Sequence, residues 1–121
     1  MPFEDLPASP AQLSRYPSEA REAYERFRAT GDAEALRVVV FAAVRDFMPK
    51  RNLSGKGIQI REEMLLMEDL GYDSLAVAET VYFFEDLFKV RIQKTELLSL
   101  RTVGELRLFV SKKLAEKKTV I

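Results

Sequence analysis

The apolar residues between Ser74 and Phe88 repeat at the spacing of an α-helix. Four of them stand at i, i+4, i+7 and i+11, so they share one face of a helix of about four turns. They are Val77, Val81, Phe84 and Phe88. A helix with one apolar face has to bury that face against another element, so the segment predicts a helical domain with a shared core.

The first 31 residues predict an arm followed by a helix. Four of the five prolines lie within the first 17 residues, which predicts an extended arm because proline lacks the N–H that regular structure uses. Ser18 is a candidate N-cap and Gly31 a candidate left-handed C-cap, which predicts a helix over about 18–30. Tyr24 and Phe27 form a narrow apolar stripe on this helix, and that stripe needs a partner surface.

Residues 32–117 predict one domain of three long helices and one short helix. Asp32 is a candidate cap for the first of them, which is apolar around most of its circumference. The β-branched run at 38–40 would also suit a strand, but the length of the segment and its lack of turn signals favour a helix. The predicted helices cover 33–48, 74–88, 95–98 and about 102–117. Residues 118–121 are left as a C-terminal tail.

A long, partly ordered loop is predicted over 50–71, where glycine, serine and asparagine interrupt the helical pattern. Loops longer than about 12 to 15 residues are uncommon in small domains unless some of their residues are held. We therefore expect Leu65, Leu66 and Leu70 to attach the loop to the core.

The composition argues against several classes of protein. Lysine and arginine together number 19, as do aspartate and glutamate, so no net positive charge predicts nucleic-acid binding. Histidine, the commonest general base and metal ligand, is absent, and so is cysteine. We therefore predict no catalytic residue and no metal site, and expect a protein that is not an enzyme.

Two further features concern location. The most apolar stretch, Val38 to Val44, is far shorter than the roughly 20 residues that cross a bilayer, so no stable membrane insertion is expected. The N-terminus carries acidic residues where an export signal needs basic ones. The sequence therefore predicts a soluble cytoplasmic protein.

A sequence block at the start of the Ser74 helix carries the most specific pattern in the chain. It reads Glu68-Asp69-Leu70-Gly71-Tyr72-Asp73-Ser74-Leu75. Further residues follow at fixed distances from the serine, and these are Glu79, Phe88, Ile92, Thr102 and Val103. Together, over roughly residues 32–117, the block and these positions resemble the acyl carrier proteins of fatty acid and polyketide synthesis.

The resemblance implies an all-α fold, a four-helix bundle of three long helices and one short, here with an extra N-terminal helix. It implies a carrier that holds acyl intermediates as thioesters for fatty acid, lipid or polyketide-type biosynthesis. In this family a separate phosphopantetheinyl transferase moves a 4'-phosphopantetheine arm from coenzyme A to a serine, which would be Ser74. Asp73 and Leu75 flank that serine and complete the motif.

The resemblance also implies a surface for partner enzymes on the exposed face of the Ser74 helix. The matching positions are Leu75, Ala78, Glu79, Tyr82, Glu85 and Asp86. Six acids and no base lie between Leu66 and Phe88, which predicts that acyl-loading and acyl-processing enzymes present basic docking surfaces.

A pocket for the acyl chain is likewise implied by the resemblance. Its matching positions are Val81, Phe84, Ile92, Leu97, Leu100 and Leu106. The same residues would also be needed simply to fill a small helical core. Because Phe84 and its neighbours are bulky, we expect a shallower pocket than a long-chain carrier requires.

Phe83 and Leu87 depart from the family pattern, because they place two large apolar side chains on a third face of the helix. They need a cover. We expect Tyr24 and Phe27 of the N-terminal helix to pack on this pair or against the helix at 33–48, with a dedicated partner enzyme as the alternative cover.

Other functions also fit the pattern. A Gly-x-Asp-Ser sequence is an ordinary turn before a helix, so the chain could be an unmodified helical interaction module with a carrier-like fold. A peptidyl or aminoacyl carrier is a further alternative, although its motif more often has another residue than aspartate before the serine. We expect a monomer.

Overall fold

Helices make up most of the protein, whose structure is a computed structural model describing residues 3–49 and 59–119, apart from the side chains of Lys118 and Thr119. The helices are α1 (Ser18–Thr30), α2 (Ala33–Phe47), α3 (Ser74–Phe88), α4 (Lys94–Leu98) and α5 (Val103–Thr119). The predicted all-α fold, three long helices and one short after an N-terminal one, is confirmed. The last helix continues two residues into the segment predicted as a tail.

Helix ends follow the capping residues in most places. The Asp32 side chain accepts a hydrogen bond from the Glu34 N–H at 3.4 Å, and Gly31 ends α1 with a φ of 75°. Ser18 differs from its prediction, because it is the first residue of α1 and Pro17 occupies the cap position without a side-chain hydrogen bond. Proline suits this position because a helix start leaves its first N–H groups unpaired.

One hydrophobic core joins the N-terminal extension to the other helices. Buried side chains of α1 and of the residues before it belong to the same cluster as those of α2, α3 and α5. α1 packs chiefly against α2, and α2 in turn packs against α3 and α5. The extension is therefore part of the packed protein.

The predicted extended arm is wrong in its conformation. Residues 3–17, here called the strap, contain turns and a 3₁₀ helix at Ala11–Leu13. Phe3, Leu6 and Leu13 are buried in the core cluster, and the Phe3 ring stacks on Phe27 at 4.6 Å between centroids. The prolines interrupt regular helix as expected, but the apolar residues between them fold the strap onto the bundle.

The second half of the predicted loop is ordered by contacts with helices. Leu66 and Leu70 are buried as expected, whereas Leu65 is half-buried and pairs through its backbone with Thr102 in an isolated bridge. The Glu62 carboxylate binds Arg37 of α2 at 3.3 Å and Arg107 of α5 at 2.9 Å. Residues 50–58, the first half of the predicted loop, lie outside the described residues.

Leu87 is fully buried, and Phe83 is covered within the molecule, but not by the residues we expected. The Phe83 ring lies 5.7 Å from Tyr16 of the strap and 5.3 Å from Phe47 of α2, between ring centroids. Tyr24 approaches Phe88 instead, at 6.4 Å. The expected packing of α1 on α2 is confirmed. The cover for Phe83 comes from the strap and α2, while the rings of Tyr24 and Phe27 lie near Phe88.

None of the helices in the described ranges is long and apolar enough to cross a membrane.

Candidate functional site

Ser74 is the first residue of α3, and it is exposed to solvent. The side chain of Asp73, the N-cap, accepts a hydrogen bond from the Ala76 N–H at 2.9 Å. Gly71 adopts a positive φ of 72°, which glycine tolerates and which turns the chain into the helix. The motif thus places an accessible hydroxyl at a helix N-terminus.

The turn before Ser74 is held rigidly by Tyr72. Its phenol is buried and donates a hydrogen bond to the Val44 carbonyl of α2 at 2.8 Å, while its N–H donates to the Leu66 carbonyl at 2.9 Å. Burial raises the pKa of Tyr72, so the phenol stays protonated and remains a donor. Ser74 is therefore fixed relative to the core.

The chemistry open to Ser74 is that of an acceptor. A serine hydroxyl becomes a nucleophile when an adjacent base removes its proton, and the chain has no histidine to serve as that base. A phosphodiester on its oxygen would lie near the N-terminus of α3, the positive end of the helix dipole. Such a position favours an anion by roughly 0.3 to 1 kcal/mol.

Large apolar side chains are exposed along α3 and next to it. Leu75 is 68% exposed and Tyr82 is 69% exposed, while Ala78 is half-buried between them. Met67 and Leu98 are also exposed. Exposed apolar residues of this size are typical of interaction surfaces when they lie together.

The predicted acidic residues of α3 differ in their availability. Glu79 is exposed. Glu85 turns back and accepts a hydrogen bond from the Ile92 N–H at 2.8 Å. Asp86 accepts one from the Gln12 side chain and lies 3.9 Å from Lys89. Two of the three acids therefore bind other parts of this chain.

A small crevice lies between α3, α4 and the start of α5. Leu97, Leu100 and Leu106 of the predicted acyl pocket line it, but its cavity volume is only about 10 Å³. That volume holds about one water molecule. Val81, Phe84 and Ile92 are instead buried in the core. That an acyl chain enters here, in a shallow pocket, stays a prediction.

Several residues that line the crevice were not predicted from the sequence to belong to a pocket. These are Leu66, Met67, Tyr72, Val77, Thr80 and Leu98. Thr80 is fully buried, and its hydroxyl donates to the Ala76 carbonyl at 2.8 Å, which satisfies it without water. Helical spacing could have indicated that Thr80 is buried, because it follows Val77 by three residues and precedes Phe84 by four.

Comparisons with known proteins identify the family. The acyl carrier protein of Thermotoga maritima is 34% identical over 80 residues, which are 66% of this chain and 98% of that protein. This chain belongs to the acyl carrier protein family. No family model and no solved structure matches it.

Other acyl carrier proteins are also similar. That of Campylobacter curvus is 35% identical over 75 residues, 62% of this chain and 96% of that protein. The anthracycline acyl carrier protein DpsG of Streptomyces peucetius is 40% identical over 52 residues, 43% of this chain and 62% of that protein. The similar proteins thus include a carrier named for an anthracycline.

As an acyl carrier protein, the chain is a carrier and not an enzyme. Proteins of this family carry phosphopantetheine and work with biosynthetic enzymes. The site suits such a group, since the acceptor hydroxyl of Ser74 is exposed at the N-terminus of α3. Within the described ranges, no cluster of acidic residues could hold a metal ion.

Proposed function

We propose that Ser74 carries a covalent 4'-phosphopantetheine arm on which acyl intermediates are held as thioesters. The observation that carries the proposal is the exposed hydroxyl of Ser74 at the first position of α3, directly after the capping Asp73. When bound, the arm supplies the thiol that forms the thioester. The protein supplies the attachment point and the surface around it.

The proposed partners are a phosphopantetheinyl transferase and enzymes that load and process acyl groups in fatty acid, lipid or polyketide-type biosynthesis. Support for docking on α3 comes from the exposed Leu75 and Tyr82 beside the exposed carboxylate of Glu79. A basic surface on the partner would complement that carboxylate.

We also propose that residues 32–117 form the carrier domain and that residues 1–31 are an extension specific to a specialised carrier. The Thermotoga maritima relative is aligned over nearly its whole length, yet the alignment covers only two thirds of this chain.

A mass measurement tests the proposed attachment. The protein is incubated with coenzyme A, magnesium and a promiscuous phosphopantetheinyl transferase, and the intact mass is then recorded for wild type, Ser74→Ala and Ser18→Ala. Ser18 is a matched control because it too is exposed and is the first residue of a helix. Wild type and Ser18→Ala should each gain one arm, and Ser74→Ala should gain none.

Two results would contradict the proposal. No gain of mass on wild type would mean that the chain is an unmodified interaction module. A gain on Ser74→Ala would place the arm on another residue.

A further inference from the structure

The strap is anchored at both of its ends to different helices. Near its start, the Asp5 carboxylate binds the Lys117 ammonium of α5 at 2.7 Å. Near its end, the Tyr16 phenol donates a hydrogen bond to the Asp46 carboxylate of α2 at 3.1 Å. The strap contacts the C-terminal half of α3 through Gln12, which binds Asp86, and through Tyr16, which stacks on Phe83.

An aromatic stack attaches the strap to one flank of α3. The Tyr16 and Phe83 rings are nearly parallel, with an angle of 6° between their planes and 5.7 Å between their centroids. Leu87, one turn further along α3, has no exposed surface at all. The strap therefore covers part of this flank, where Phe83 is half-buried.

Two acidic side chains on the C-terminal half of α3 also have partners within this chain. Asp86 binds Gln12 of the strap as well as Lys89, and Glu85 binds the backbone N–H of Ile92. The Asp86 side chain is still 61% exposed, so an enzyme that docked there would meet a carboxylate that already has two partners within this chain. Removing bound partners from a charged group costs free energy that a new contact must first recover.

Another part of α3, between Leu75 and Tyr82, offers a surface for which the structure shows no such contact with the strap. Leu75 and Tyr82 are each exposed by about two thirds, at 68% and 69%. Glu79 lies between them in sequence, three residues before Tyr82, so the two share one side of the helix. The surface thus combines two apolar side chains and one carboxylate, and tyrosine is frequent among the residues that dominate interface energetics.

We propose that the strap is a selectivity element, which confines partner enzymes to the surface made by Leu75, Glu79 and Tyr82 and excludes them from Phe83 and Asp86. The proposal rests on the proposed carrier function. The partner that fits is an enzyme with an apolar pocket for Tyr82 and one basic side chain for Glu79. Enzymes that need acidic contacts along the whole helix are excluded.

The test measures where a partner docks, independently of arm transfer. The Ser74→Ala protein, isotopically labelled, is titrated with an unlabelled phosphopantetheinyl transferase, and backbone NMR shifts are followed. We expect shifts around Leu75 to Tyr82 and none in the strap. Tyr82→Ala in the same background should weaken binding at least tenfold, and Asp86→Asn by less than twofold. Leu108→Ala, an exposed apolar residue on α5, is the control and should have no effect.

A second experiment removes the side chains by which the strap contacts α3. With Gln12→Ala and Tyr16→Ala together, the shifts should extend to Phe83 and Asp86, and Asp86→Asn should then weaken binding at least threefold. Ser14→Ala, an exposed strap residue, is the matched control. If far-UV circular dichroism shows that the double variant is unfolded, Gln12→Ala alone is used, with the same expected direction.

The proposal is overturned if the transferase shifts strap residues in the parent protein, if Asp86→Asn weakens binding as much as Tyr82→Ala, or if no docking on α3 occurs. Failure of the proposed function has a different signature, which is the absence of an arm on the wild-type protein. The two outcomes are therefore separable.

Discussion

At the scale of single residues, the site depends on how the chain enters α3. The sequence motif predicted that Asp73 and Ser74 stand at a helix start, and the structure places them there because the Asp73 carboxylate pairs with an N–H of the first turn. Capping is a local interaction, so local sequence predicts it well. The prediction that Ser18 is an N-cap was wrong for an equally local reason, because Pro17 before it occupies the cap position.

Replacement of Asp73 by alanine should lower the free energy of unfolding by about 0.5 to 2 kcal/mol, since the cap hydrogen bond is lost. Urea unfolding followed by circular dichroism measures this change. Asp73→Asn is the matched control, because asparagine caps about as well as aspartate, and it should stay within a few tenths of a kcal/mol of wild type. Equal losses in both variants would show that the charge, and not the cap, stabilises the protein.

At the scale of elements, the spacing of apolar residues predicted the helices but not the strap. Leu6 and Leu13 lie among prolines without any helical or strand period, so sequence alone gave no reason to bury them. Their burial depends on a surface that only the assembled helices provide. The same limit applies to Phe83, for which a cover was predicted correctly while its source, Tyr16, was not.

Close packing of the loop at 59–73 on α5 leads to a prediction for Gly104. A Cβ added there would lie 2.9 Å from Glu62 Oε1 and 3.2 Å from the Glu62 carbonyl oxygen. The side chain can move but the backbone oxygen has to shift, so Gly104→Ala should destabilise the protein by about 1 to 3 kcal/mol. Alanine's better helix propensity, worth about 0.5 to 1 kcal/mol, would offset part of this cost.

A double-mutant cycle checks that explanation. Glu62→Ala combined with Gly104→Ala removes the closer of the two contacts, so urea unfolding should show a smaller loss for the pair than the sum of the single losses. Additive losses, or a more stable Gly104→Ala protein, would mean that the loop accommodates the added methyl group.

At the scale of the whole molecule, ion pairs connect segments that are distant in sequence. Hydrogen bonding to Arg107 holds the pKa of Glu62 below its usual 4.5, and hydrogen bonding to Lys117 holds that of Asp5 below its usual 3.8. Both carboxyls therefore bind protons more weakly in the folded protein than in the unfolded chain. Nothing in the linear sequence pairs these residues, and so sequence reasoning could not find them.

The direction of these pKa shifts predicts acid sensitivity. The stability that the two pairs contribute is fully present above the unfolded pKa values, and it is lost as pH falls through the lower folded values. We expect the free energy of unfolding to decrease between pH 5 and pH 3, about the range set by these groups, and to decrease less steeply in Glu62→Gln.

Urea unfolding at several pH values measures this dependence, with Glu22→Gln, an exposed position on α1, as the control. An unchanged slope in Glu62→Gln would assign the acid sensitivity to other groups.

Tyr82 differs chemically from the other three tyrosines of this protein. The chain has four tyrosines and no tryptophan. Three phenols donate hydrogen bonds within the fold, to Asp46, Pro7 and Val44, and burial raises their pKa values, that of Tyr24 to about 12. Tyr82 alone presents most of its ring to solvent. Tyrosine-directed nitration or iodination would therefore label it selectively and supply an optical reporter on the surface that partner enzymes are proposed to cover.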